Sequence, residues 1–264
     1  MPASLRRILA VTLMLTGGLS ATPALADIEA ARAAYARWDF ASARREFAAA
    51  AAAGNAQAME LLAQMAADGV GGEKDQRLAF EWFLRAANEG SLTAQSETAR
   101  RYSLGLGTGK DDAKSLDWTR IAAERGDAQA QYVMGARTID GVGVKRNMRE
   151  ATVWLGRSAE QGFADAQVVL ADLLVRAAES SKADVAAAYR VEAAKWYVLA
   201  AMQGRKEVEE KLRLNKLRMS DQELAEAERR TRAWRPVLAV PPKKPAAPAA
   251  VPAAVPAAAP AQKP

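Results

Sequence analysis

The chain has 264 residues, with 37 lysines and arginines against 31 acids, a formal charge of +6 and a mean hydropathy of −0.19. It contains no histidine and no cysteine, which excludes disulfides, thiolate or imidazole metal ligation and nucleophile–histidine catalysis. Residues 1–26 carry two arginines and residues 236–264 three lysines, neither with an acid, so the body between them is nearly neutral and offers no broad footprint for nucleic acid.

Residues 1–26 read as a secretory signal peptide. Arg6 and Arg7 form the positive region, residues 8–15 are apolar, and Ala24-Leu25-Ala26 gives the small-x-small cleavage pattern that places the mature start at Asp27. The apolar stretch is too short to span a bilayer comfortably. A short helix is expected over 28–37, then a turn at Trp38-Asp39-Phe40 and a helix from about Ala41, together an N-terminal cap.

A period follows. Gly54, Gly90, Gly126 and Gly162 stand 36 residues apart, and Gly204 comes 42 later. Trp82, Trp118, Trp154 and Trp196 each fall eight residues before a glycine of the series. Small pairs precede the same glycines: Ala86-Ala87, Ala122-Ala123, Ser158-Ala159 and Ala200-Ala201. The tryptophan and the small pair share one helical face, which predicts a ring packed in the inter-helix core and a close neighbour beside it. The glycine supplies the left-handed turn that ends the helix.

A second helix is expected after each glycine, over 58–66, 94–102, 130–138 and 166–174. It is closed by glycine turns around Gly69 and Gly71, Gly105 and Gly107, and Gly141 and Gly143. The fourth copy lacks this turn, and its six extra residues predict a longer loop or an extended helix. Gly105 to Lys110 superficially resembles a phosphate loop, but the Walker spacing fails and the same turn recurs in two other copies. The adjacent Asp111 and Asp112 form no positioned acid–base pair.

Between Arg205 and Arg218 six basic residues face three acids, read as a solvated helix face. Ser220 and Glu223 form a capping box that opens a helix to about Trp234, stopped by Pro236, with Leu224, Ala227 and Trp234 turned inward. Residues 236–264 hold nine prolines and no acid, and are expected to be disordered or polyproline II.

A 36-residue step with this alternation resembles the Sel1-like repeat, a relative of the tetratricopeptide repeat. The resemblance covers roughly residues 41–204; Glu46-Phe47 in the first copy and the missing glycine turn in the fourth depart from it. It implies an all-α, right-handed α-α superhelical solenoid over 27–235. The repeats fall at about 55–90, 91–126, 127–162 and 163–204, between helical caps.

The resemblance also implies a non-enzymatic scaffold that binds a protein or peptide on the concave face, without cofactor or metal and without nucleic acid. Carried over by phase, the concave candidates are Gln57, Glu60 and Gln64; Thr93, Ser96 and Arg100; Gln129, Tyr132 and Ile139; and Asp165, Val168 and Asp172. Tyr132 and Arg100 are the favoured anchors, because Tyr and Arg dominate interface energetics. The location implied is exported and periplasmic, with no membrane span after signal cleavage. The alternative is a structural envelope component whose Pro/Ala-rich tail contacts the cell wall.

Overall fold

Residues 23–237 of the computed structural model are described, with side chains from residue 28 onward. Most of the expected leader and the tail beyond Val237 lie outside the described residues. Between them run α1 (Pro23–Ala36), α2 (Phe40–Ala52), α3 (Ala56–Asp68), α4 (Gln76–Asn88), α5 (Leu92–Leu104) and α6 (Asp112–Glu124). Then come α7 (Ala128–Asp140), α8 (Met148–Glu160), α9 (Ala164–Glu179), α10 (Ala183–Met202), α11 (Val208–Lys216) and α12 (Asp221–Ala233). From α1 to α11 each helix packs on its chain neighbours, and α12 returns onto α10. The result is a right-handed α-α superhelical solenoid.

The repeat sets where each helix starts and stops. Asn55, Ser91 and Asp127 cap α3, α5 and α7, and Asp75, Asp111 and Asn147 cap α4, α6 and α8. In every case the side-chain oxygen accepts from the backbone N–H three residues on. In the fourth copy Phe163 stands at the cap position and makes no such bond. The five phased glycines have φ between 87° and 98°. Gly107 is needed twice over: its φ is 74°, and a Cβ there would sit 1.8 Å from the Gln76 carbonyl oxygen at the start of α4.

Small residues let the pairs close. Ala86, Ala122, Ala159 and Ala200 are fully buried. A Cβ on Gly135 would fall 2.7 Å from Leu155 Cγ, so α7 and α8 meet closely there. Phe47 and Leu155 are also fully buried, and each side chain removed from water in this way contributes about 1.5–3 kcal/mol.

The tryptophans divide into two kinds. Trp118 and Trp196 are buried, at 4% and 1% exposure. Trp82 and Trp154 are only half-buried, under the guanidinium groups of Arg85 and Arg157 at 4.8 and 5.1 Å. The expectation of one core row therefore holds for alternate copies, and the other two rings present a face to the surface.

Both ends depart from the repeat. Helix α1 begins at Pro23, earlier than the expected 28–37 helix, and it buries Ile28, Ala31 and Ala34. In the fourth copy the six extra residues lengthen the helices: α9 has 16 residues and α10 has 20. The Ser220–Glu223 capping box forms, and Ala227 is buried. Trp234 meets Trp196 edge-on at 6.3 Å and donates to Glu160 from its indole N–H at 3.0 Å.

Candidate interaction surface

The first helices of successive pairs, α3, α5, α7 and α9, lie side by side, and clefts open between first helices along this row. A cleft of about 270 Å³ between α1 and α3 is lined by Tyr35, Phe47, Leu61 and Gln64. One of about 290 Å³ between α3 and α5 is lined by Glu60, Gln64, Thr93, Glu97 and Arg100, with Phe83 of α4 beneath. One of about 110 Å³ lies between α5 and α7, and one of about 330 Å³ between α9 and α11.

The candidate residues fall into three groups. Glu60, Gln64, Thr93 and Arg100 share the α3–α5 cleft, and Ser96, Arg100 and Gln129 share the next. Gln57, Gln64, Thr93, Arg100 and Gln129 are exposed. Glu60 accepts a short hydrogen bond from Ser91, and Arg100 is held by both oxygens of Glu97 at 2.7 and 2.8 Å.

Tyr132, Ile139 and Val168 instead pack against the core between α7 and α9. The Tyr132 ring lies 5.3 Å from Phe163, and burial, then the nearby Asp165 charge, raises its phenol pKa. Its phenol face is thus partly spent on intramolecular packing.

Asp165 and Asp172 are engaged within the molecule. Asp165 pairs with Arg205, Lys211 Nζ meets Asp172 at 2.7 Å, and Arg218 meets Glu179 at 3.0 Å. These acids stand seven residues apart along α9, so each meets a base on or beside α11. Three of the six bases at 205–218 are thus tied to α9, and Arg213 pairs with Glu210 within α11. Tyr197 also donates to Asp172 at 2.6 Å, and burial, followed by that bond, pushes its pKa far above the ordinary phenol value.

A buried polar ladder, outside the residues that the repeat phase picks out, underlies the face. Gln95 is 3% exposed. Its amide donates to the Ala87 carbonyl at 3.2 Å, and its oxygen accepts from Arg125 at 2.8 Å. Arg125 also donates to the Gly90 carbonyl at 2.7 Å. One repeat on, Gln131 donates to Ala123 at 3.1 Å and accepts from Gln161 at 2.8 Å, and Gln161 donates to Gly126 at 2.9 Å. Gln167 repeats the pattern with Ala159 at 3.1 Å and Gln203 at 2.9 Å. Each rung adds a second hydrogen bond to a helix-end carbonyl that the phased glycine N–H already meets, and ties three helices at the glycine turn. The signal was present: Gln95, Gln131 and Gln167 recur at 36 residues beside buried alanines.

The family model described as Sel1 repeat matches residues 56–91, 92–127, 128–163 and 190–204. Among solved structures, the chain is similar to a protective antigen of uropathogenic Escherichia coli strains displaying an SLR fold. Identity is 26% and the TM-score 0.64, over 77% of this chain and 44% of that one. It is also similar to a Sel1 repeat protein from Oxalobacter formigenes, at 27% identity and a TM-score of 0.61, over 78% of this chain and 82% of that one. The chain therefore spans less than half the length of the Escherichia coli protein. No curated protein matches it. No helix among the described residues is long and apolar enough to cross a membrane.

Proposed function

Because this chain belongs to the Sel1-like repeat family, whose repeats mediate protein–protein interaction and are typically non-catalytic, we propose that it is a scaffold or adaptor. It holds a protein or peptide segment against the face formed by α3, α5 and α7, the face that the family resemblance implies is concave. The carrying observation is the pair of adjoining clefts at Glu60–Arg100 and Ser96–Gln129, where exposed polar side chains stand over a rigid floor of helices. A furrowed face that repeats every 36 residues suits an extended partner, because each furrow takes one part of it at little ordering cost to the solenoid.

The working location is the cell envelope, on the strength of the Arg6-Arg7 leader and its cleavage pattern. Cleavage after Ala26 leaves the buried Ile28, Ala31 and Ala34 in place.

The test is photocrosslinking in native envelopes, with a photoreactive residue at position 64 or 129 on the face and at 120 on the outer helix α6. All three positions are exposed. The proposal expects a discrete crosslinked band from 64 and 129 and none from 120. Equal labelling from all three, or none from the face, contradicts it.

A further inference from the structure

The α5–α7 cleft differs from its neighbours in chemistry. Its floor is Ser115 and Thr119 of α6, both nearly fully buried. One repeat earlier the same positions are Ala79 and Phe83, and one repeat later Ala151 and Leu155. Here the apolar floor is replaced by two hydroxyl-bearing residues. Ser96 and Ser103 of α5 add two more hydroxyls, and Arg100 and Arg137 add guanidinium groups, while no acid lines the cleft. Ser96 Oγ is shielded from solvent and has no hydrogen-bond partner.

Arg137 is the telling residue. Its counterpart one repeat earlier, Arg101, is 2% exposed and has a carboxylate: Glu97 lies 2.9 Å from its Nε. The counterpart of Glu97 beside Arg137 is Val133. Among the described residues Arg137 has only a long contact with Ser115 Oγ, at 3.4 Å. Arg100 already has Glu97. The cleft thus holds one half-buried guanidinium whose carboxylate the repeat supplies elsewhere and omits here. A half-buried charge without a partner is costly, and a carboxylate that reaches it gains a charge-assisted, two-pronged hydrogen bond.

We infer that this cleft is the socket for one acidic side chain, aspartate or glutamate, of the protein segment that docks on the face. The inference rests on the scaffold reading above. The carboxylate takes the place that Glu97 occupies against Arg101. Its two oxygens accept from the Arg137 guanidinium, and the Ser96 hydroxyl donates to it. About 110 Å³ gives room for the end of one side chain and not for a second element. Gln129 and Val133 at the edge flank the partner's backbone side.

The test uses the full chain with labelled arginine side chains. It is titrated with acetyl-Gly-Ser-Glu-Ser-Gly-amide, with the same peptide carrying Gln in place of Glu, and with sodium acetate. The Nε–H signal of Arg137 is assigned by its loss in Arg137→Lys, and circular dichroism checks that each variant is folded. The glutamate peptide should shift that signal saturably, and Arg137→Gln should weaken binding at least tenfold. The glutamine peptide and equimolar acetate should leave the signal in place. No saturable shift, equal shifts from both peptides, undiminished binding by Arg137→Gln, or full reproduction by acetate each overturns the inference. If the face crosslinks a protein while Arg137 stays inert, the socket falls and the scaffold stands. If Arg137 responds to the glutamate peptide but the face captures nothing, the socket stands as a peptide site and the wider reading falls.

Discussion

Gln131 shows how one side chain serves both repeat and turn. Its amide satisfies the Ala123 carbonyl and its oxygen receives Gln161. In the first copy the same position is Met59, buried among apolar neighbours without that ladder. Gln131→Met keeps the volume but removes the side-chain bonds to the Ala123 carbonyl, which the Gly126 N–H still serves at 3.0 Å, and to the Gln161 amide, which keeps the Gly126 and Arg157 carbonyls. The expected cost is about 0.5–1.5 kcal/mol for each bond lost with no group left orphaned, read as a lower urea midpoint with an unchanged slope. An unchanged midpoint would show that water replaces the rung. This ladder was legible in principle, since three glutamines in phase next to buried alanines cannot all face solvent. It went unread because glutamine is ordinarily a surface residue. The pairing of Asp165 and Asp172 with α11 was less accessible, because it depends on how α11 folds back after the last glycine, and the step of 42 breaks the phase there.

At the scale of the helix, the caps carry much of the boundary information. Asp111 opens α6 by accepting from the Lys114 backbone N–H at 2.9 Å. That bond, helped by the Lys114 ammonium, holds its carboxyl below the usual range. A carboxyl whose folded value is depressed stabilises the fold fully above its unfolded value, near 4, and loses that contribution as pH falls through the folded value. Asp111→Asn keeps an acceptor but not the charge. The stability gap between parent and variant should therefore be widest near neutral pH and close as pH falls toward 2; a gap that does not change with pH would contradict this. Helix type and order were legible from the 36-residue period, because glycine, alanine and tryptophan each carry a distinct geometric demand. The split of the tryptophans into buried and half-buried was not, since Trp82 and Trp154 share the spacing of Trp118 and Trp196. What differs is the residue three positions on: arginine after Trp82 and Trp154, which covers the ring from the solvent side, and isoleucine or leucine after the buried pair.

At the scale of the whole molecule, nearest-neighbour packing makes the solenoid a rigid bar with two different faces. The outer helices bury their small pairs inward. The first helices leave polar side chains standing over clefts. Of the residues chosen by phase, Glu60, Gln64, Thr93, Ser96, Arg100 and Gln129 line the clefts between α3, α5 and α7, and Gln57 is exposed outside them; Tyr132, Ile139 and Val168 are committed to internal packing, and Asp165 and Asp172 to ion pairs, Asp172 at the edge of the α9–α11 cleft. Phase alone could not separate these, because the fourth copy differs in length and α11 closes over its end. The proposed binding surface is accordingly centred on α3, α5 and α7.

The most direct measurement of that claim is hydrogen exchange on the full chain, alone and with the partner that the face crosslinks identify. Binding on the proposed face should slow exchange in α3, α5 and α7 while leaving α4, α6 and α8 unchanged. Slowing confined to the outer helices, or spread evenly over both sets, would contradict the account.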